Sequence, residues 1–253
     1  MMKKSILTQS VRLLSILFFV LFQFQAVAQQ GVTPEHIAEL ESVTSSAISG
    51  DASHVAFTLS VPADPYDQNA PNSSHLYVLN VEEGVVKPYY TSGSVSDVQF
   101  RPQMNTVTFL TQRDGDDTRS LYEVPLNGGE QVKLMSFDRS ILSYTWHDDG
   151  NHVAFIAFEE AEKSDSPLPY TADVYEENRP QRKGYITNVI VEDHEPHEIG
   201  VDGSVYMIEW SPDGSQLAVS AAPTPEVDDF YMAQQVFVVD YQTREVVAEI
   251  NNE

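Results

Sequence analysis

Ile208-Glu-Trp-Ser-Pro-Asp-Gly-Ser-Gln-Leu-Ala-Val-Ser220 reads as an aromatic anchor, a tight polar turn and a strand. Pro212 fixes φ, Asp213 hydrogen-bonds its own backbone and Gly214 permits positive φ. Leu217 and Val219 then share one face, because side chains alternate along a strand with a period of two. The phrase recurs in Trp146-His-Asp-Asp-Gly-Asn-His-Val-Ala-Phe155, Phe100-Arg-Pro-Gln-Met-Asn-Thr-Val-Thr-Phe109 and Ile48-Ser-Gly-Asp-Ala-Ser-His-Val-Ala-Phe57. In all four copies an anchor (Ile48, Phe100, Trp146 or Trp210) precedes the closing apolar residue by nine positions. Val55, Val107, Val153 or Leu217 lies two positions before that end. Four copies in register define a repeat protein.

Each copy is followed by a second apolar strand: His75–Asn80, Ser120–Val124, Tyr185–Val191 and Gln235–Asp240. A short polar turn and a further strand, such as Val85-Val86 or Glu245-Val246-Val247, close the unit. Successive anchors lie 52, 46 and 64 residues apart, close to the roughly 40–50 residues of a four-stranded propeller blade. The expected fold is therefore all-β, a β-propeller of about four WD/TolB-like blades, each of four antiparallel strands. A propeller closes into a ring of roughly 4–8 blades, so these are expected to be part of a larger seven- or eight-bladed ring. Blade insertions are expected at about 62–74 and 159–184 as loops on the rim. Each blade is expected to bury its anchor against the next. The fourth would then show an uncovered apolar face near Trp210 and Val236–Val239.

Ahead of the repeats, Lys3, Lys4 and Arg12 precede an apolar run from Leu13 to Phe22 and the small-residue site Ala26-Val27-Ala28. This is the pattern of a secretory signal peptide over residues 1–28, leaving 29–253 as an incomplete propeller. The run is too short to span a bilayer, so no membrane association is expected after cleavage. Thr33-Pro34-Glu35 opens a short N-terminal helix with Thr33 as N-cap, expected to pack through Ile37 and Leu40. The formal net charge of −24 repels nucleic acid and anionic lipid. With no cysteine in the chain, stability must come from burial rather than disulfides.

Taken together, Thr33-Pro34-Glu35, Val55-Ala56-Phe57 behind its turn and the repeated Trp-Ser-Pro-Asp-Gly-type anchors resemble the N-terminal region of secreted acylaminoacyl-peptidase-like proteins of the prolyl oligopeptidase family. The stretch Asp173-Val-Tyr-Glu-Glu-Asn-Arg-Pro-Gln-Arg182 is similar to that family's blade insertion. The resemblance implies an exported, periplasmic or extracellular serine peptidase. Its propeller is non-catalytic, gates and helps bind peptide substrates, and caps a C-terminal α/β-hydrolase domain. TolB-type propellers share the anchor, and a stand-alone periplasmic protein-binding module is the alternative. No Gly-x-Ser-x-Gly nucleophile elbow occurs in these 253 residues, so no catalytic residue is assigned to them. Peptide substrate and the hydrolase domain are the implied partners, and no cofactor is expected.

Tyr175-Glu176-Glu177 resembles the double-glutamate motif of the dipeptidyl-peptidase branch, where two carboxylates hold a substrate's α-amino group. An ammonium has three donors and favours such acceptors. That branch places its motif shortly before a Trp-Ser-Pro anchor, whereas Trp210 lies 33 residues after Glu177. A solvated acidic rim loop is the competing reading. Asp114-Gly-Asp-Asp117 lacks the ligand spacing of an EF-hand and reads as a hairpin turn. Asp193-His-Glu-Pro-His-Glu198 lacks the His-Glu-x-x-His spacing of a zinc protease, and Pro196 disfavours a helix. No metal site is assigned. His147 and His152 occupy the turn positions of Ser211 and Gln216 and read as variable polar turn residues.

Overall fold

Residues 31–64, 70–160, 179–191 and 195–250 are described by a computed structural model. The expected signal peptide, Glu176, Glu177, Asp193 and His194 lie outside these residues. The chain divides after Leu40 into two units. In the first, helix α1 (Pro34–Ala38) starts as its sequence requires. The Thr33 hydroxyl accepts the His36 N–H, and His36 Nδ1 accepts the Thr33 N–H, each at 3.3 Å. This is a capping box with histidine in the usual place of Glu or Gln. Ile37 and Leu40, the residues expected to pack, are 66% and 69% exposed.

Among the described residues of the second unit, sixteen strands form four antiparallel four-stranded sheets, each running in chain order. Blade 1 holds β1–β4 (Ser42–Ile48, His54–Val61, Ser73–Asn80, Val85–Tyr90) and blade 2 holds β5–β8 (Ser96–Phe100, Thr106–Thr111, Ser120–Pro125, Val132–Met135). Blade 3 holds β9–β12 (Ile141–Trp146, His152–Phe158, Arg182–Asn188, His197–Glu198), and blade 4 holds β13–β16 (Ser204–Trp210, Gln216–Ala222, Gln235–Asp240, Val246–Ile250). A short helix, α2 (Val227–Met232), lies between β14 and β15. The turns joining first to second and third to fourth strands lie at one end of every blade. The connections from second to third strands lie at the other, so both insertions emerge there.

Register explains the nine-residue spacing. Each anchor ends the first strand and pairs with the apolar residue that follows the turn: Ile48 with Val55, Phe100 with Val107, Trp146 with Val153, Trp210 with Leu217. These in turn face Leu79, Val124, Thr187 and Val239 on the third strand. Every first strand also carries a β-bulge against the second, a device that raises local twist.

Among the described residues, three cores lie between successive blades. Val107, Phe109 and Val124 of blade 2 meet Ala56, Leu76 and Val78 of blade 1. Trp146, Val153 and Phe155 of blade 3 meet Leu110 and Leu121 of blade 2. Leu217, Val219 and Val239 of blade 4 meet Ala154, Ile156 and Ile186 of blade 3. Thus β6 and β10 are buried on both faces and lose the alternation of a half-buried strand.

Two expectations are corrected here. The anchor face of each blade packs on the preceding blade, not the next. Trp146 Nε1 donates to Thr108 Oγ1 at 2.9 Å, and Trp210 Nε1 donates to the Thr145 carbonyl at 3.2 Å. Ile48, assigned as the anchor of blade 1, is 66% exposed because no described blade precedes it. The open side of blade 4 is correspondingly not at Trp210 but on the opposite face, with Met207, Ala218, Val236 and Val238. Strand boundaries also shift. The strand expected over 185–191 is β11, Arg182–Asn188, because Asn188 Oδ1 takes the Ile190 N–H at 3.0 Å and turns the chain out of the ladder. Gly184 is therefore inside a strand. A Cβ there would lie 2.9 Å from Ile208 Cδ1, so glycine allows blades 3 and 4 to close.

Candidate functional site

The repeated turns are wired alike. Ser49 and Ser211 hydroxyls donate to Asp51 and Asp213 at 2.7 Å, and the N–H groups of Ser53 and Ser215 add second bonds to the same carboxylates. The Ser211 hydroxyl and Ser215 hold the Asp213 carboxyl at about 2, below its ordinary range. Blade 3 keeps the aspartate but surrounds it with imidazoles. His152 Nδ1 meets Asp149 Oδ2 at 2.6 Å, and the Asp149 N–H donates to His147 Nδ1 at 3.1 Å. Burial works to raise the Asp149 carboxyl, but the Asn151 and His152 N–H groups and the His152 ring hold it well below the usual range.

His147, Asp149 and His152 bring ligand-type atoms within 4.8 Å of one another, so a metal must be considered. Hydrogen bonding argues against it. With Asn188 Oδ1 fixed by Ile190, the Asn188 amide nitrogen faces His152 Nε2 at 3.1 Å. Nε2 is then the acceptor, and Nδ1 carries the proton donated to Asp149. The lone pair of His147 Nδ1 is likewise committed to a backbone N–H. The cluster locks a turn. Its second task lies between blades: the His147 ring meets Trp210 edge-on at 4.8 Å and stacks on Tyr241 at 5.7 Å. A Cβ on Gly214 would reach His147 Nε2 at 2.1 Å. The sequence reading of His147 as a variable turn residue missed this wedge.

The acidic turn at 114–117 joins β6 to β7, as its sequence suggested. Asp116 takes the Arg113 N–H at 3.0 Å and the Tyr122 hydroxyl at 2.7 Å, and pairs with Lys133. Burial raises its carboxyl, but Lys133, the Arg113 N–H and Tyr122 outweigh this and set it at about 2.

At the insertion end, between blades 3 and 4, a cleft of about 420 Å3 is lined by Arg179, Arg182, Tyr206, Val227, Phe230 and Tyr231, among others. Arg182 opens β11, and its guanidinium lies 4.6 Å over the Tyr206 ring and 5.5 Å over Phe158. The β13 bulge beside Val205 and Met207 sets Tyr206 at this wall. Its hydroxyl is enclosed without a hydrogen-bond partner among the described residues. Phe230 of α2 packs on Tyr206 at 4.6 Å, while Tyr231 and Met232 are 74% and 86% exposed. Oriented guanidinium, phenol and exposed aromatic surface suit a ligand with carboxylate or carbonyl oxygens beside apolar groups. The sequence signal for this cleft was an arginine at the insertion boundary in a chain with 14 basic against 38 acidic residues.

Nearer the first strands, Asp97 at φ 49° accepts the Tyr144 N–H at 2.8 Å and the Gln99 amide at 3.0 Å. Burial raises its carboxyl, only partly opposed by these bonds and by Arg119. Its Oδ2 thus joins blade 2 to blade 3, while its Oδ1 holds Gln99 within its own strand.

Comparison with solved structures decides the architecture. The acylaminoacyl peptidase of Pyrococcus horikoshii superposes with a TM-score of 0.59 at 13% identity, over 81% of this chain and 32% of that one. The blades have a β-propeller fold. The chain spans about a third of that peptidase. An oligogalacturonate lyase in complex with manganese is similar at a TM-score of 0.55 and 13% identity, covering 83% of this chain and 54% of the other. TolB from Acinetobacter baumannii gives 0.50 at 16% identity, over 79% and 41%. No protein-family model matches the sequence, and no curated protein matches it. Proteins of unlike activity share this propeller, so its function must be argued from sites.

Proposed function

We propose that these blades belong to the non-catalytic propeller of an exported serine peptidase of acylaminoacyl-peptidase type. In this reading the propeller gates peptide access to an α/β-hydrolase domain. What supports it is four blades similar to about a third of a peptidase chain, with an apolar face of blade 1 and one of blade 4 uncovered among the described residues. Phe57 and Tyr77 stack at 5.8 Å on the open face of blade 1, beside Val55 and Leu79. Val236 and Val238 form the open face of blade 4. Further blades would cover both and close the ring.

The cleft around Arg182 and Tyr206 lies at the same end as the expected insertions, and peptide oxygens would meet it there. Glu176 and Glu177 remain proposed contacts for a peptide amine. Residues 1–28 would direct export, so the mature chain would begin at Gln29, read by N-terminal sequencing.

Fluorophosphonate labelling tests the reading. The 253-residue chain should not label, whereas the product of an open reading frame extended past Glu253 should label and cleave acyl-peptides. Saturable labelling of the shorter chain would overturn the non-catalytic assignment. An extended product without a reactive serine would instead favour the TolB-like binding module.

A further inference from the structure

The cleft at the insertion end differs in charge from the rest of the chain. Arg179 and Arg182 line it, and among the described residues no acidic side chain does, in a chain with a net charge of −24. The cavity at the other end of blades 3 and 4, of about 540 Å3, brings His152, His197 and Arg244 together but also takes in Glu195. Its charge is mixed and favours neither sign of ligand. The cleft at Arg182, of about 420 Å3, lies within the roughly 300–1,000 Å3 of small-ligand sites.

Arg182 is held in place without an acid. Its backbone N–H donates to Ser204 Oγ at 3.1 Å, and Ser204 is fully buried at the start of β13. Beside it, the Glu159 N–H donates to the Gln181 carbonyl at 2.8 Å, and the Gln181 N–H donates to Glu159 Oε1 at 2.7 Å. The register pairs Arg182 with Phe158, so its side chain shares the blade 4 face with Ile156 and Ile186. Tyr206 meets it there from blade 4, and the rings of Tyr206 and Phe158 position the guanidinium. Among the described residues that guanidinium has no ion pair and no hydrogen-bond acceptor. Beyond it the wall is aromatic. Phe230 packs on Tyr206, and Tyr231, 74% exposed, stands edge-on to Phe230 at 4.8 Å.

We infer that this cleft binds the free C-terminal carboxylate of a peptide whose last side chain is aromatic or otherwise apolar. The two carboxylate oxygens match the planar fork of Arg182, and the adjoining side chain lies against Phe230 and Tyr231. An internal peptide carbonyl offers one neutral acceptor and leaves the guanidinium charge unmatched, so the chain end is favoured over it. The inference rests on the proposed function in naming a peptide. Carboxylate binding itself belongs to the 253-residue chain and is measured without any hydrolase domain.

Backbone amide NMR of the full chain, titrated at constant ionic strength with N-acetylphenylalanine, its C-terminal amide and N-acetylalanine, tests it. N-acetylphenylalanine should give saturable shifts at Arg182, Tyr206 and Phe230. The amide should bind at least about tenfold more weakly, and N-acetylalanine should also bind more weakly for want of the ring. Arg182→Gln should bring acid and amide to the same affinity. Arg182→Lys keeps the charge without the fork and should restore only part of the difference. Equal affinity of wild type for acid and amide, no saturable shift at these residues, or an acid preference undiminished in either folded variant would overturn the inference. Carboxylate selectivity alongside an extended product that fails to label would count against the peptidase reading alone.

Discussion

Replacing Arg101 should be among the most damaging single changes in the arc. Its side chain is 6% exposed and ion-pairs through Nη1 to Glu123 Oε2 at 2.9 Å. Its Nε donates to the Gly150 carbonyl of the next blade at 2.6 Å, and its guanidinium lies 5.0 Å over the Trp146 ring. One side chain therefore joins the blade 2 turn, its own third strand and the blade 3 anchor. Arg101→Met keeps much of the apolar stem but strands Glu123, which is 18% exposed, beside an orphaned carbonyl. Removing one partner of a buried pair costs about 3–5 kcal/mol. The carbonyl's lost bond overlaps with this and is not simply added. Equilibrium urea unfolding of wild type, Arg101→Met, Glu123→Leu and the double variant gives the cycle. Arg101→Met should lose about 3–5 kcal/mol, and the double variant should recover much of it because no buried charge is left alone. A loss under about 1 kcal/mol, in the range of an exposed ion pair, would refute the view that this arginine holds two blades together.

Gly214→Ala should destabilise by about 1–2 kcal/mol from its positive φ alone, and further by driving a methyl into His147. His147→Ser, matching Ser211 in the next blade, should relieve that second part, and an unchanged cost in the double variant would exclude the wedge. Because Asp116 is held at about 2 in the fold, below its ordinary 3.8, its contribution is present above about pH 4 and is lost as pH falls toward 2. Asp116→Asn should flatten the urea midpoint over that window, and an unaltered acid limb would contradict the Lys133–Tyr122 anchoring. The exposed end faces should drive self-association that rises with salt as repulsion is screened, seen as increasing mass in light scattering. Val238→Lys on the open face of blade 4 should reduce it, and a monodisperse chain at all salt concentrations would mean that the arc closes without further blades.

What the sequence made legible was local. A turn of Pro, Asp and Gly followed by alternating apolar residues specifies a hairpin, and four such hairpins at blade-like intervals specify the sheets. Direction was not legible. Nothing in Trp146-His-Asp-Asp-Gly says whether the tryptophan faces the blade before or after it, because both faces of β10 are apolar. The structure resolves this through Thr108 and Thr145, polar partners more than thirty residues upstream of their tryptophans. Sites suffered similarly. Arg182 and Tyr206, or His152, His197 and Arg244, meet only through blade packing, and no linear spacing records that.

The backward reach of the anchors also gives the phrase its glycine. Gly150 and Gly214 both have positive φ, and each approaches the turn of the preceding blade. A Cβ at Gly150 would strike the Pro102 carbonyl at 2.2 Å, as one at Gly214 would strike His147. Glycine at these positions therefore answers two demands, turn conformation and the contact that sets neighbouring blades side by side. Blade 1 shows the contrast: the equivalent residue, four after Ile48, is Ala52, which takes a positive φ of 57° without being glycine. The same blade has the exposed anchor Ile48. Both features follow from one cause, the absence of a described blade on its anchor side. On the proposed reading, a blade seated there would bury Ile48 and Val55 and bring its own turn against residues 49–53.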